Sequence, residues 1–284
     1  MIKKDGHSHT EFCPHGSGDD VEAMIQKAIK FGFTDYCITE HAPLPPAFRN
    51  DYEGTKGGYD TAAIAMSDLD AYFAKCERMR SKYADQIRIH IGFEVDYLPA
   101  QADWTHDFLN EYGPRCDESI LSVHFMRGVH GKYWPVDDEL SEFEDGLLPI
   151  GADDKQDLYA AYLDAVQAAV AADLGKYAPV RIGHITLIKK FQDYFDLPKR
   201  FNNANMARID KLLATMQRQG RQLDVNAAGL FKEYCNEIYP YPQIIMMARA
   251  RGIKTVYGSD AHSIKEVGHA YHQVAELLPA GNSV

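Results

Sequence analysis

Three histidines crowd into the stretch His7-Ser8-His9-Thr10-Glu11-Phe12-Cys13-Pro14-His15, close behind the first residues of the chain. On an extended backbone, residues two apart face the same way, so the imidazoles of His7 and His9 can reach one point. His15, one loop further on, can reach a second point nearby. Neutral imidazole is the commonest protein ligand for a divalent metal. A lone His-X-His pair can equally be two polar residues at a strand end. Ligand-type side chains recur further along the chain, however: Glu40 and His41, Glu94, His124, His184, Asn226, and Asp260 with His262.

The segments in front of these residues explain the recurrence. Hydrophobic spacing predicts helices over Asp20–Gly32, Ser67–Tyr83, Trp104–Tyr112, Asp157–Leu174, Asn205–Gln219, Pro242–Arg251 and Val267–Leu278. Short β-rich runs alternate with them: an N-terminal strand, Asp35–Thr39, Ile87–Val95, Ser119–Val123, Val180–Gly183, Gln222–Val225 and Lys254–Gly258. Each run ends at one of the candidate ligands. Alternating strands and helices predict a parallel sheet, and in an α/β barrel the carboxyl ends of all strands open on one mouth. The expected fold is therefore an α/β barrel of seven strands in a single domain over residues 1–284, with its candidate ligands on one rim. His90 in mid-strand, His106 in a helix, and His269 and His272 in the last helix are read as structural or surface residues. The Pro- and Gly-rich stretch after His41 and the run His130–Asp154 read as long loops, the latter with a short helix.

Composition narrows the function classes. The chain has 284 residues, a formal net charge of −11 and five cysteines without regular spacing. That charge disfavours nucleic acid and anionic membranes as partners. The odd cysteine count argues against a disulfide framework and for reduced thiols, mostly small buried hydrophobes, in a cytoplasmic protein. No apolar run is long enough to span a bilayer, and the first residues read as a strand rather than a signal peptide.

The order and spacing of several motifs resemble those of the polymerase-and-histidinol-phosphatase (PHP) family. These are Asp5-Gly6-His7-Ser8-His9, Thr39-Glu40-His41-Ala42-Pro43, Gly92-Phe93-Glu94, Ser122-Val123-His124-Phe125, Gly183-His184, Asp224-Val225-Asn226-Ala227-Ala228-Gly229-Leu230 and Gly258-Ser259-Asp260-Ala261-His262. The resemblance covers nearly the whole chain and implies a distorted seven-stranded barrel with three divalent metals. It implies one ion held by His7, His9, Glu94 and Asp260, and a second by Glu94, His124 and His184, with Glu94 bridging. A third would be held by His15, His41 and His262. Many family members have Asp where this chain has Glu40, a carboxylate suited to orienting a ligand imidazole. A His/carboxylate set without cysteine suits zinc, manganese or iron alike.

Such a centre can supply a nucleophile and take up phosphoryl charge. The resemblance thus implies a cytoplasmic phosphomonoesterase acting on a small phosphorylated metabolite, with L-histidinol phosphate of histidine biosynthesis as the preferred substrate. Glu94 and Asp260 would be its catalytic carboxylates, Asp260 also as a proton relay. Arg127, Lys189 and Lys190 are the candidate phosphate contacts. The loops after His41 and His124, with Phe48, Asp51, Tyr52, Glu53, Tyr133, Trp134 and Asp137, are candidates for holding the rest of the substrate. The alternatives are another phosphoesterase of the family, acting on nucleotides or sugar phosphates, a polymerase-associated exonuclease, or a metal-binding scaffold without turnover.

Overall fold

In this computed structural model, which describes residues 2–278, seven strands form one all-parallel sheet in the order β1-β2-β3-β4-β7-β8-β9. They are β1 (Lys4–Asp5), β2 (Asp35–His41), β3 (Arg88–Asp96), β4 (Ile120–Ser122), β7 (Arg181–Ile182), β8 (Gln222–Asn226) and β9 (Thr255–Gly258). Between β4 and β7 a small antiparallel hairpin, β5 (Phe125–Arg127) and β6 (Tyr133–Pro135), stands apart from the sheet. Neighbouring parallel strands need a crossover, and helices provide most of them. They are α1 (Val21–Phe31), α2 (Lys56–Thr61), α3 (Leu69–Lys82), α4 (Ala102–Tyr112), α5 (Leu140–Glu142), α6 (Lys155–Ala171), α7 (Asn203–Arg218), α8 (Pro242–Ala250) and α9 (Tyr271–Ala275).

The first crossover shows how local sequence sets the frame. The Asp20 side chain caps α1 by accepting from the Glu22 amide, and Gly32 ends it in the left-handed region at φ 86°. Val21, Met24, Ile25 and Ala28 form its buried stripe. All seven residues of β2 are buried, as expected of a strand covered on both faces. Register then sets the rim, because His41 lies opposite Glu94, and Glu94 opposite Ile120. Gly92 allows β3 to pass close to the segment before β4. A Cβ there would lie 1.8 Å from the Glu118 carbonyl oxygen.

The barrel closes where its first and last strands meet. The Gly6 amide donates to the Tyr257 carbonyl at 2.8 Å, Asp260 to His7 at 2.8 Å, and His9 to Ala261 at 2.9 Å. Below the rim, the buried Arg181 guanidinium pairs with Glu118 at 3.0 Å, and Glu118 also pairs with Lys4.

Three regions depart from the sequence reading. The Pro/Gly-rich loop after His41 holds a short 3₁₀ turn, Pro46–Asn50, and helix α2, capped by the Thr55 hydroxyl. The long loop after His124 contains the hairpin and several helical turns. The last helix spans only Tyr271–Ala275 rather than Val267–Leu278, because Ala270 takes a left-handed conformation at φ 50°. Among the described residues the five cysteines are free, and no helix is long and apolar enough to cross a membrane.

Candidate metal centre and active site

The strand ends bring the predicted ligand-type residues to one rim. His7 and His9 lie just beyond β1, where Ser8 bridges to Ala261. His41 ends β2 and Glu94 lies near the end of β3. His124 follows β4, His184 follows β7, and Asp260 and His262 follow β9. Glu94 stands at the centre, 1% exposed. One of its oxygens lies 3.1 Å from His7 Nε2, 3.5 Å from His9 Nε2 and 3.4 Å from His41 Nδ1. The other lies 2.8 Å from His184 Nε2 and 3.4 Å from His124 Nε2, and accepts from the Ser122 hydroxyl at 2.6 Å. Asp260 is 3.1 Å from His9 Nε2 and 3.4 Å from His7 Nε2. His15 Nε2 faces His262 Nε2 at 3.2 Å.

A second layer orients the rings. His7 Nδ1 lies 2.9 Å from Asp224, His9 Nδ1 3.3 Å from Glu40, and His124 Nδ1 3.0 Å from Asp96. His15 Nδ1 is 2.8 Å from the Thr61 carbonyl, and His262 Nδ1 3.0 Å from the Asp260 carbonyl. When the outer nitrogen is held on an acceptor, the inner one is left as a basic donor to a metal. Asp96 and Asp224 were not singled out from sequence. Their signal was the strand period of two, since Asp96 follows Glu94 by two residues and Asp224 precedes Asn226 by two.

This donor set fits divalent metal ions. His124 Nε2 and His184 Nε2 face each other at 3.1 Å, a spacing that suits two ligands about 2.0–2.1 Å from one zinc ion. His41 is buried with neither ring nitrogen hydrogen-bonded. Three groups place one donor atom per residue within 4.8 Å of one another: His7, His9, Glu94 and Asp260; His41, Glu94 and His124; and His9, Cys13, His41 and His262.

The electrostatics carry the same mark. Burial opposes charge on Glu94, but His7 and His124 hold its carboxyl well below the usual range. Burial likewise opposes charge on His9, yet hydrogen bonds to Asp260 and Glu40 push it up to about 9. Against the same burial, Asp96 and then Glu94 push His124 up to about 10. His41 and His262 go the other way, well below the usual range, through burial and the neighbouring His9.

Above this floor opens a cavity of about 630 Å³ whose walls include Asp137, Asp138, Lys190, Lys232 and Tyr239. Lys190, a candidate phosphate contact, lines it, its ammonium held by the Asp137 carbonyl. Two other expected phosphate contacts are corrected. Arg127 is exposed and stacks on Tyr133, 4.3 Å from the ring centroid, beside a different cavity, because the hairpin turns it outward. Lys189 is buried against Glu237, the Lys199 carbonyl and the Tyr241 ring, and does not line the site. Lys232 and Asp138 were missed, since neither lies at a strand end. Of the loop residues, Asp137 lines the cavity, whereas Phe48 and Tyr133 belong to a separate apolar cluster with Leu98 and Phe125.

Residues 5–228 match the PHP domain model, and residues 243–279 match the PHP-associated model. The chain belongs to the PHP family. Among its relatives is the histidinol-phosphatase of Bacillus subtilis strain 168, 36% identical over 97% of this chain and 99% of that one. A solved "putative histidinol phosphatase" from Listeria monocytogenes is 43% identical and superposes with a TM-score of 0.93, over 95% of this chain and 99% of that one. A more distant solved structure shares the fold at 19% identity and a TM-score of 0.71, over 97% of this chain and 93% of that one. It is the histidinol phosphate phosphatase of Lactococcus lactis, solved with zinc, L-histidinol and phosphate.

Proposed function

We propose that this protein is a metal-dependent phosphomonoesterase that hydrolyses L-histidinol phosphate to L-histidinol and phosphate. The observation that carries the reading is the convergence of His41, Glu94, His124, His184, Asp260 and His262 on one cavity whose walls carry both cations and carboxylates, with His7 and His9 buried directly behind Glu94 and Asp260. The family relationship to named histidinol-phosphatases supports the substrate.

His7, His9, Glu94 and Asp260 would hold one divalent ion, Glu94, His124 and His184 a second, and His15, His41 and His262 a third. Bound there, the ions supply Lewis acidity for a water nucleophile and for phosphoryl oxygens. Glu94 joins the first two positions and is kept ionised by the imidazoles around it. Ser122 fixes one of its oxygens. Asp260, held by Asn226 at 3.0 Å, is placed to accept or pass on a proton at the rim. Lys190 and Lys232 present ammonium groups to the phosphate. Asp137 and Asp138 face the same space and suit the ammonium and imidazole of the substrate's other end. A nucleic-acid strand would meet these carboxylates and a net charge of −11, which disfavours that alternative.

Phosphate release across a panel of phosphorylated metabolites, with the metal content fixed, tests the reading. Histidinol phosphate should give the highest kcat/KM. Equal rates on histidinol phosphate and p-nitrophenyl phosphate would remove the substrate assignment and leave the metal-hydrolase reading.

A further inference from the structure

Cys13 is 3% exposed, and its surroundings differ from those of the other buried thiols. Cys76 and Cys235 lie inside the main apolar core and Cys37 lies against Glu118 and Arg181, whereas Cys13 belongs to neither setting. It sits in the turn after β1, where its amide donates to the Thr10 carbonyl and its carbonyl accepts from Gly16, both at 3.1 Å. Its Sγ is grouped within 4.8 Å of donor atoms of His9, His41 and His262. His41, in that same group, is 6% exposed and has no hydrogen-bond partner on either ring nitrogen.

Charge gives this arrangement a purpose. The first two metal positions each include a carboxylate. The third, made of His15, His41 and His262, has three neutral ligands and no anion to offset a divalent charge. Thiolate is a good ligand for zinc and supplies the negative charge that the three imidazoles lack. We propose that Cys13 is a thiolate ligand of the third ion, beside His41 and His262. This inference rests on the three-metal reading above. On binding, a sulfur–metal bond replaces the S–H bond and one proton leaves to solvent. Without a cation, burial and then the charge of Glu40 keep the thiol protonated. A thiolate donor also discriminates among metals, because softer ligands favour zinc over manganese. The third position therefore selects zinc more strongly than the other two.

Stepwise loading of the metal-free full chain with cobalt(II) separates the two ideas. Elemental analysis counts the ions, and near-ultraviolet thiolate-to-cobalt charge transfer reports sulfur ligation independently of turnover. The expected result is three cobalt ions per chain, with a charge-transfer band that Cys13→Ser abolishes. Cys13→Ser should also weaken zinc binding at one position by on the order of tenfold or more. Three bound ions without the band, or a band unchanged in Cys13→Ser, overturns the Cys13 assignment and leaves the three-metal reading intact. Two bound ions with a Cys13-dependent band would overturn the three-metal reading and with it the third-ion assignment, leaving Cys13 as a ligand of one of the two ions. Should Cys13→Ser fail to fold, X-ray absorption at the zinc edge of the native protein decides instead. One sulfur at about 2.3 Å, shared among the bound zinc ions, is expected, and a purely nitrogen and oxygen shell overturns the proposal.

Discussion

The carbonyl of His7 accepts the amide of Asp260 at 2.8 Å, so two candidate ligands from opposite ends of the chain are joined through their backbones. Metal binding and barrel closure are therefore coupled at this seam. Ions bound only by the folded state stabilise it by mass action. Chelation should lower Tm by about 10 °C or more. It should also speed hydrogen exchange at the amides of Gly6, His9 and Asp260 more than at those of β3. Uniform acceleration over all strands would show that seam and site are uncoupled.

Glu94→Gln preserves size and removes the charge facing five imidazoles. Turnover should fall by on the order of a hundredfold or more, since even groups that only orient a ligand are worth ~10–100-fold. His90→Gln is the control, since His90 pairs with Asp35 at 3.0 Å on the far part of the same strand. Its kcat should stay near native. Equal losses in both variants would sink the assignment of Glu94 to the centre.

Protons and metals compete for His9 and His124, which titrate near 9 and 10 in the metal-free protein. Both values are raised above the ordinary histidine value. Their stabilising contribution is whole below about pH 6.5 and disappears as pH rises through 9 to 10. Metal loading near neutral pH should therefore release protons, with apparent affinity rising with pH. A zinc titration in weak buffer, followed with a pH indicator, measures this. No proton release would mean that neither ring is a ligand.

Asp138 stands at the rim against Gly58, with no ion-pair partner among the described residues, and burial, Glu142 and Asp137 raise its carboxyl to about 6. Asp138→Asn should raise KM for histidinol phosphate about tenfold while leaving p-nitrophenyl phosphate almost unchanged. Parallel changes on both substrates would show that Asp138 does not select the amine end. An ammonium on the substrate would also hold Asp138 ionised, so the KM effect should shrink below about pH 6, where the free carboxyl is protonated.

The barrel was legible because its signals are local and periodic. β2 and β3 are β-rich runs that end in Glu40-His41 and near Glu94, and Gly32 or Gly252 marks where a helix stops. The hairpin was not legible. Its strands are three residues each, and their partners, such as Phe48, come from a loop remote in sequence. Lys189 and Lys190 show the same limit. Adjacent in sequence, they point in different directions, one into Glu237 and one to the cavity, and nothing short of the packed fold separates them. Cys13 read as a small hydrophobe because its imidazole neighbours arrive from three strand ends.

The seam between β1 and β9 also orders events during synthesis. The amino-terminal strand leaves the ribosome first but has no partner on its outer edge until the segment around residues 257–261 emerges. Until then an unsatisfied strand edge and several histidines lie open to other chains and to stray metal, the kind of exposure that favours misassembly. The final residues of the barrel thus act as the latch that withdraws this edge, and truncations at the carboxyl side should be punished first by insolubility of the nascent chain rather than by slow turnover.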